Sequence, residues 1–473
     1  MVDIRGDTLQ SDGWTLVLTD AGACASPSDL SPSAGLIPAP VPGTVAEALE
    51  KAGLFDREHP HPLNDRDGWY LCRLVDVNAG DAVLRLEGLA TLCEVFLNSQ
   101  KILVSESMFE THDLAVHLHG GDELALCFRA LEPGLGEPGP RARWRPQMIT
   151  PQGLRLVRTT LLGHMPGWCP EIQAVGPRRP VSLLRPHKPI IRDLSLRSDL
   201  LEDGEGRLYA SLSIEGYVSE VTLRCGEIEQ AFERDSHGHC KAILKVPGVT
   251  PWWPRTHGRP HLHEVTLIID DVEHPLGRAG FRRLAIDRGA DGRDFGLLVN
   301  GERIFCRGAV WTTADIVRLP GGRDDYEPWL RLAAEADMNM VRIGGTMAYE
   351  TPVFFRLCDE FGLLVWQDFM FANFDYHYLR ELYGFESDRL RREDPDLYLA
   401  LSQAVTGEVA EECYAEWRRQ GSGCNGALVW TLQDLLPGPG WGVIDSTGEP
   451  KPIWVSAAPR LSARAGAFHR RRH

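Results

Sequence analysis

The sequence predicts a multidomain protein in which two β-sandwiches precede a (β/α) barrel-type segment that stops short of a closed barrel. Three observations predict it. Residues 14–181 break into short β-rich runs cut by Gly, Asn, Asp and Pro, the pattern of an all-β sandwich. Residues 189–288 alternate apolar and polar positions again, over the length of an immunoglobulin-like sandwich. Residues 339–376 then place strand, helix and strand in a single short stretch, which is a βαβ unit. A chain of 473 residues has room for three such domains and a sizeable core.

In the first region the runs fall at 15–18, 70–75, 82–86, 93–97 and 123–128, with an Asn98-Ser99 turn after the fourth. Residues 141–180 are rich in Arg and Trp for a loop. Trp168 has an aromatic face on which a sugar ring can stack and Arg158 has donors for its hydroxyls, and an interdomain clamp would use the same residues. In the second region the runs are 208–214, 221–223, 242–246 and 264–269. Glu215-Gly216 and Asp270-Asp271 read as turns, and Trp252, Trp253 and Pro254 as core or interface.

The third region starts near Phe295. Residues 295–299, Asn300-Gly301 and 303–306 read as a hairpin leading into a first barrel strand, with residues 307–315 as the loop after it. Residues 326–336 supply a helix. Residues 340–343 form the next strand, closed by Gly344-Gly345. Residues 352–361 carry Val353, Phe354, Leu357, Cys358 and Phe361 at one-face helical spacing, and Gly362 ends that helix. Residues 363–366 are a continuous apolar run, as a parallel strand buried on both faces requires. Trp311, Asp315, Glu350, Asp368 and Asn373 therefore fall at or just beyond strand C-termini, where barrel enzymes keep their chemistry.

A closed barrel needs eight strands and about 250 residues. Residues 377–420 show helical spacing with no apolar strand, and only residues 426–430 supply one more. The count is strands one, two, three and eight, so the middle of the barrel is expected to be missing.

Net charge is -16, from 50 Lys and Arg against 66 Asp and Glu, with no basic stripe, and this excludes the usual nucleic-acid footprint. The eleven Cys lack CxxC pairs and metal-ligand spacing, so buried free thiols are expected and no metal site. Residues 1–14 have no apolar core of a signal peptide and no stretch approaches 18 apolar residues, so neither export nor a membrane span is expected and the chain is read as cytoplasmic.

Two motifs carry a family resemblance. VRIGG, a Tyr349-Glu350 pair and CDEFGLLVWQDFMFANFDY resemble the barrel segment of glycoside hydrolase family 2, in its β-mannosidase branch. VLRLEGLATLCEVFLNSQKIL resembles the jelly-roll segment with which that family begins. The resemblance implies a jelly-roll domain over 1–181, an immunoglobulin-like domain over 189–288 and a truncated TIM-type barrel over 289–473. It also implies hydrolysis of terminal β-linked mannose by a retaining mechanism, with a small carbohydrate as the partner and no metal or organic cofactor.

The same resemblance implies a Glu after Asn at the end of strand four and a second Glu at the end of strand seven. No Asn-Glu pair occurs in the sequence, and the Ser-Glu pairs at Ser105 and Ser219 lie in the β-domains. Glu350 and Asp368 remain as substitute carboxylates, with Asp315 and Asp434 also at strand ends. Such residues equally hold loops or pair with an Arg such as Arg342. Trp168, Trp311, Asp315, Arg342, Asn373 and Trp430 are the candidate substrate contacts. The Asp that related β-mannosidases often carry after the Trp is replaced here by Cys169. An inactive carbohydrate-binding protein and the product of a deleted gene are the competing readings, and the oligomeric state is left open.

Overall fold

The computed structural model describes residues 7–8, 13–31, 35–75, 77–136, 149–166, 169–184, 190–292, 295–319, 321–370, 387–401 and 451. Trp168, Asn373, Trp430 and Asp434, and the strand read at 426–430, lie outside these residues.

Alternation in the first region folds into two antiparallel sheets that share one core. The larger has six strands in the order Ile37–Pro38, Trp14–Asp20, Arg66–Arg73, Glu123–Phe128, Cys93–Leu97 and Gln100–Ser105. The smaller runs Asp7–Thr8, Val181–Leu184, Gly80–Leu86 and His112–Leu118. Every second residue of the facing strands points inward: Leu16, Tyr70, Val95, Leu124, Leu126 and Phe128 from one sheet meet Leu84, Leu86, Val181 and Leu183 from the other. The Asn98-Ser99 turn forms with both residues at positive φ, the geometry a two-residue hairpin needs.

The second region also gives two sheets. One orders Ile190–Leu200, Gly206–Glu215, His239–Val246 and Glu233–Arg234, and the other Ile228–Ala231, Val221–Cys225, His263–Ile269 and Val272–Ala279. Leu208, Leu212 and Leu244 meet Leu223, Val265 and Leu267 between them. Asp270 and Asp271, both at positive φ, make the expected turn.

Gly296–Val299 and Glu302–Ile304 form the expected hairpin across Asn300-Gly301. The expected first barrel strand at 303–306 needs correction, because Glu302–Ile304 pairs back onto Leu297–Val299 and the first parallel strand is Gly308–Trp311, read from sequence as loop. Asn339 makes the step between the two. Its Oδ1 accepts from the Arg307 N–H at 2.9 Å and its Nδ2 donates to the Phe305 carbonyl at 3.1 Å. Gly308 is required at the start of the strand, since a Cβ there would lie 1.6 Å from the Met340 carbonyl oxygen.

Gly308–Trp311, Met340–Ile343 and Leu364–Gln367 form a three-stranded parallel sheet, with Val310, Arg342 and Trp366 in register across it. Two helices cover one face. Arg323–Glu335 starts three residues before the expected helix, where the Asp325 carboxylate accepts the Gly322 N–H at 2.8 Å. Pro352–Phe361 has the expected bounds, with Pro at its first position and Gly362 in the left-handed conformation at its end. Val341, Ile343, Tyr326, Leu330, Phe354 and Leu357 fill the layer between sheet and helices.

The second sandwich abuts this unit through Trp252, whose indole donates to the Asp359 carbonyl at 2.9 Å and packs with Val299, Ile304 and Leu364. Among the described residues no helix is long and apolar enough to cross a membrane. The nine Cys among them are free thiols, seven of them buried.

Candidate functional site

Parallel strands align their C-terminal ends on one edge, and the three segments that leave this sheet, 312–319, 344–351 and 368–370, all rest on the first sandwich. Backbone carbonyls of these segments accept from sandwich donors. Thr44 Oγ1 donates to Val317 at 2.5 Å, the Leu161 N–H to Thr346 at 2.9 Å, and Thr160 Oγ1 to the same carbonyl at 3.1 Å. Arg179 donates to the Tyr349 and Glu350 carbonyls at 2.7 and 2.9 Å, and Arg158 to Met370 at 2.7 Å. An unpaired buried carbonyl is costly, so these bonds hold the edge against the first sandwich.

The site candidates separate into two clusters. In the first, on the helix side of the sheet, Glu350 is 6% exposed and both of its oxygens accept: Oε1 from the Trp311 indole N–H at 2.7 Å, Oε2 from the Tyr326 hydroxyl at 2.5 Å. Burial pushes its carboxyl above the usual range, against the pull of those two donors and of the Arg178 and Arg179 charges. Arg178 is itself buried, and loss of solvent brings its guanidinium down to about 9. Trp311 is wedged against Phe354, with ring centres 4.9 Å apart, and against Tyr326. Glu350 therefore ties the first strand, the first helix and the sandwich together.

In the second cluster, on the opposite face, Arg342 and Asp368 make a two-pronged ion pair, with Nε to Oδ1 at 3.1 Å and Nη2 to Oδ2 at 2.6 Å. The guanidinium also lies 5.5 Å over the Trp366 ring. Asp368 is aimed by its own backbone, whose N–H donates to the Ile343 carbonyl at 2.9 Å. A planar cation, a carboxylate and an aromatic face, all partly open to solvent, suit recognition of sugar hydroxyls and of an apolar sugar face.

Asp315 joins neither cluster. Its carboxylate takes Arg57 at 3.2 and 3.1 Å and the Val317 N–H at 2.8 Å, so it closes its own loop onto the sandwich. Arg158, which the sequence left between sugar contact and clamp, is 8% exposed and bonded to Met370, a clamp contact. Sequence reasoning missed Arg57, Arg178, Arg179 and Tyr326. The Arg178-Arg179 pair behind Gly176-Pro177 was the one visible signal, and its partners lie about 170 residues further on. Among the described residues no group of three or more His, Cys, Asp or Glu is placed to hold a metal ion.

Residues 19–179 match the family described as glycosyl hydrolase 2 galactose-binding domain-like. The chain is 28% identical over 401 residues to β-mannosidase B of Emericella nidulans, an alignment covering 77% of this chain and 46% of that one. β-Mannosidase B of Aspergillus terreus is 29% identical over 323 residues, with 63% and 38% covered. The fold is similar to that of a β-D-mannosidase from Dictyoglomus thermophilum, with a TM-score of 0.64 and 19% identity over 96% of this chain and 78% of that one. The chain is similar to glycoside hydrolase family 2 proteins of the β-mannosidase kind. It is also similar in fold to an exo-chitosanase from Amycolatopsis orientalis, with a TM-score of 0.56, 15% identity, and 88% and 48% covered. The chain spans less than half the length of the two curated relatives.

Proposed function

We propose that the chain acts on carbohydrate as a β-mannosidase-type glycoside hydrolase, with a terminal β-linked mannoside as substrate, bound at the C-terminal edge of the three parallel strands. The observation that carries this reading is the Arg342–Asp368 pair beside Trp366 at that edge. A mannosidase relative, matched over 77% of this chain, supplies the sugar class. In this reading 1–181 is the jelly-roll domain, 189–288 the immunoglobulin-like domain and 289–473 a barrel shortened in its middle, in a cytoplasmic protein that needs no cofactor.

A retaining glycosidase uses two carboxyl groups about 5 to 5.5 Å apart, one as acid and one as nucleophile. Both oxygens of Glu350 are taken by Trp311 and Tyr326, and both oxygens of Asp368 by Arg342. That observation favours a second reading, sugar binding without cleavage.

Purified protein incubated with chromogenic β-mannoside, β-galactoside and β-glucuronide separates the two. Release from the β-mannoside alone supports the hydrolase. Calorimetric binding of methyl β-mannoside with no release from any substrate supports the second reading, and neither binding nor release removes both.

A further inference from the structure

We infer that Arg158 is a positioning residue for the Arg342–Asp368 pair, acting through a clamp on Met370, so that the first sandwich sets the geometry of the sugar-facing edge. The inference rests on the functional reading above for its link to sugar, and on contacts within the chain for the clamp itself.

Arg158 is anchored in the sandwich. Its carbonyl accepts the Met108 N–H at 3.0 Å, and Ser107 and Arg158 form a β-bridge. Its guanidinium lies 5.1 Å over the ring of Phe109, the residue after Met108. From there Nη1 reaches across to the Met370 carbonyl at 2.7 Å. Phe109 in turn stands edge-on to Tyr349, with ring centres 5.6 Å apart, and the Tyr349 hydroxyl accepts the Met370 N–H at 3.4 Å. Both backbone polar groups of Met370 are thus held, one by Arg158 and one by Tyr349, with Phe109 packed between the two.

Met370 follows Asp368 by two residues. Asp368 itself is fixed at its N–H by Ile343, so the backbone of segment 368–370 is held at both ends, and the Asp368 carboxylate leaves one of those ends to meet Arg342. A charged side chain at 8% exposure is costly unless it is paired, and the Met370 carbonyl and the Phe109 ring are among the groups that offset that cost here. A methionine would fill the same space without a charge. The guanidinium adds a directional bond to the strand exit, which is what positioning demands and packing alone does not.

The test compares Arg158→Met, which keeps the stem over Phe109, with Arg158→Lys, which keeps a donor and a charge. Amide hydrogen exchange is read at residues 368–370 and, as a control, at the sandwich strands. Arg158→Met is expected to speed exchange at 368–370 by about tenfold or more with the strands unchanged, and Arg158→Lys to restore most of the protection. Unchanged exchange at 368–370, or acceleration spread through the sandwich, overturns the positioning role. Affinity for methyl β-mannoside is expected to weaken about tenfold in Arg158→Met and recover in Arg158→Lys. Equal affinity in all three proteins overturns the link to sugar. If the wild type binds no mannoside, the functional reading fails and the exchange data alone decide whether Arg158 positions Asp368.

Discussion

Arg342 and Asp368 face each other across two adjacent parallel strands, with the Arg342 guanidinium fork matched to the Asp368 carboxylate and the Trp366 ring beneath it. Both side chains are partly open to solvent, so the pair contributes little to stability. Asp368→Asn is expected to lower unfolding free energy by less than about 1 kcal/mol, yet to weaken methyl β-mannoside binding several-fold. Denaturant titration and calorimetry on the same sample check both halves, and a large stability loss would mark the pair as structural.

Gly308 admits the first parallel strand to the sheet. Gly308→Ala puts a methyl group against the Met340 carbonyl, and the strand must move away. A stability loss above about 2 kcal/mol is expected, with exchange protection lost at Gly308–Trp311 and retained in both sandwiches.

Trp252 is fully buried, with its indole bonded to Asp359 and the Arg282 guanidinium 4.5 Å over its ring. Trp252→Ala is expected to cost about 3 to 5 kcal/mol. Trp252→Phe keeps the ring volume in part and gives up the bond to Asp359, and should cost roughly half as much. Urea midpoints of the two variants check the order.

His164 is buried, and burial brings its ring down to about 4 from its ordinary value near 6.5. Between those values the unfolded chain carries a proton that the folded chain does not, so stability falls as pH drops from about 6.5 to about 4. The full gap is worth on the order of 3 kcal/mol. Neutral His164 lies with Nε2 3.4 Å from the Asn64 side-chain amide, an arrangement protonation would disturb. His164→Gln should flatten the stability curve in that window, as thermal unfolding from pH 4 to 7 would show.

Where neighbours in sequence decide the outcome, the chain was readable before the structure. Helix Pro352–Phe361 declares itself by its Pro start, its one-sided apolar spacing and its Gly362 end, and the next strand by its unbroken apolar run. The first parallel strand was misplaced because residues 303–306 look more strand-like than Gly308–Trp311. What settles the matter is the Asn339 side chain, more than thirty residues away. The site was legible only as a set of strand-end residues. Which carboxylate meets which cation depends on the face from which each side chain leaves its strand, as for Arg342 and Asp368, and on a sandwich arginine, Arg57, that no local pattern pairs with Asp315.

The carbonyls of Val317, Thr346, Tyr349, Glu350 and Met370 each take a donor from the first sandwich. The two parts are accordingly poor candidates for exchange by recombination. A foreign sandwich grafted onto the parallel sheet would have to supply Thr44, Thr160, Arg179 and Arg158 at the same points in space, or leave those carbonyls without partners. Inheritance should keep the two as one block, with substitutions on either side of the seam answering one another, while the surface far from it drifts freely.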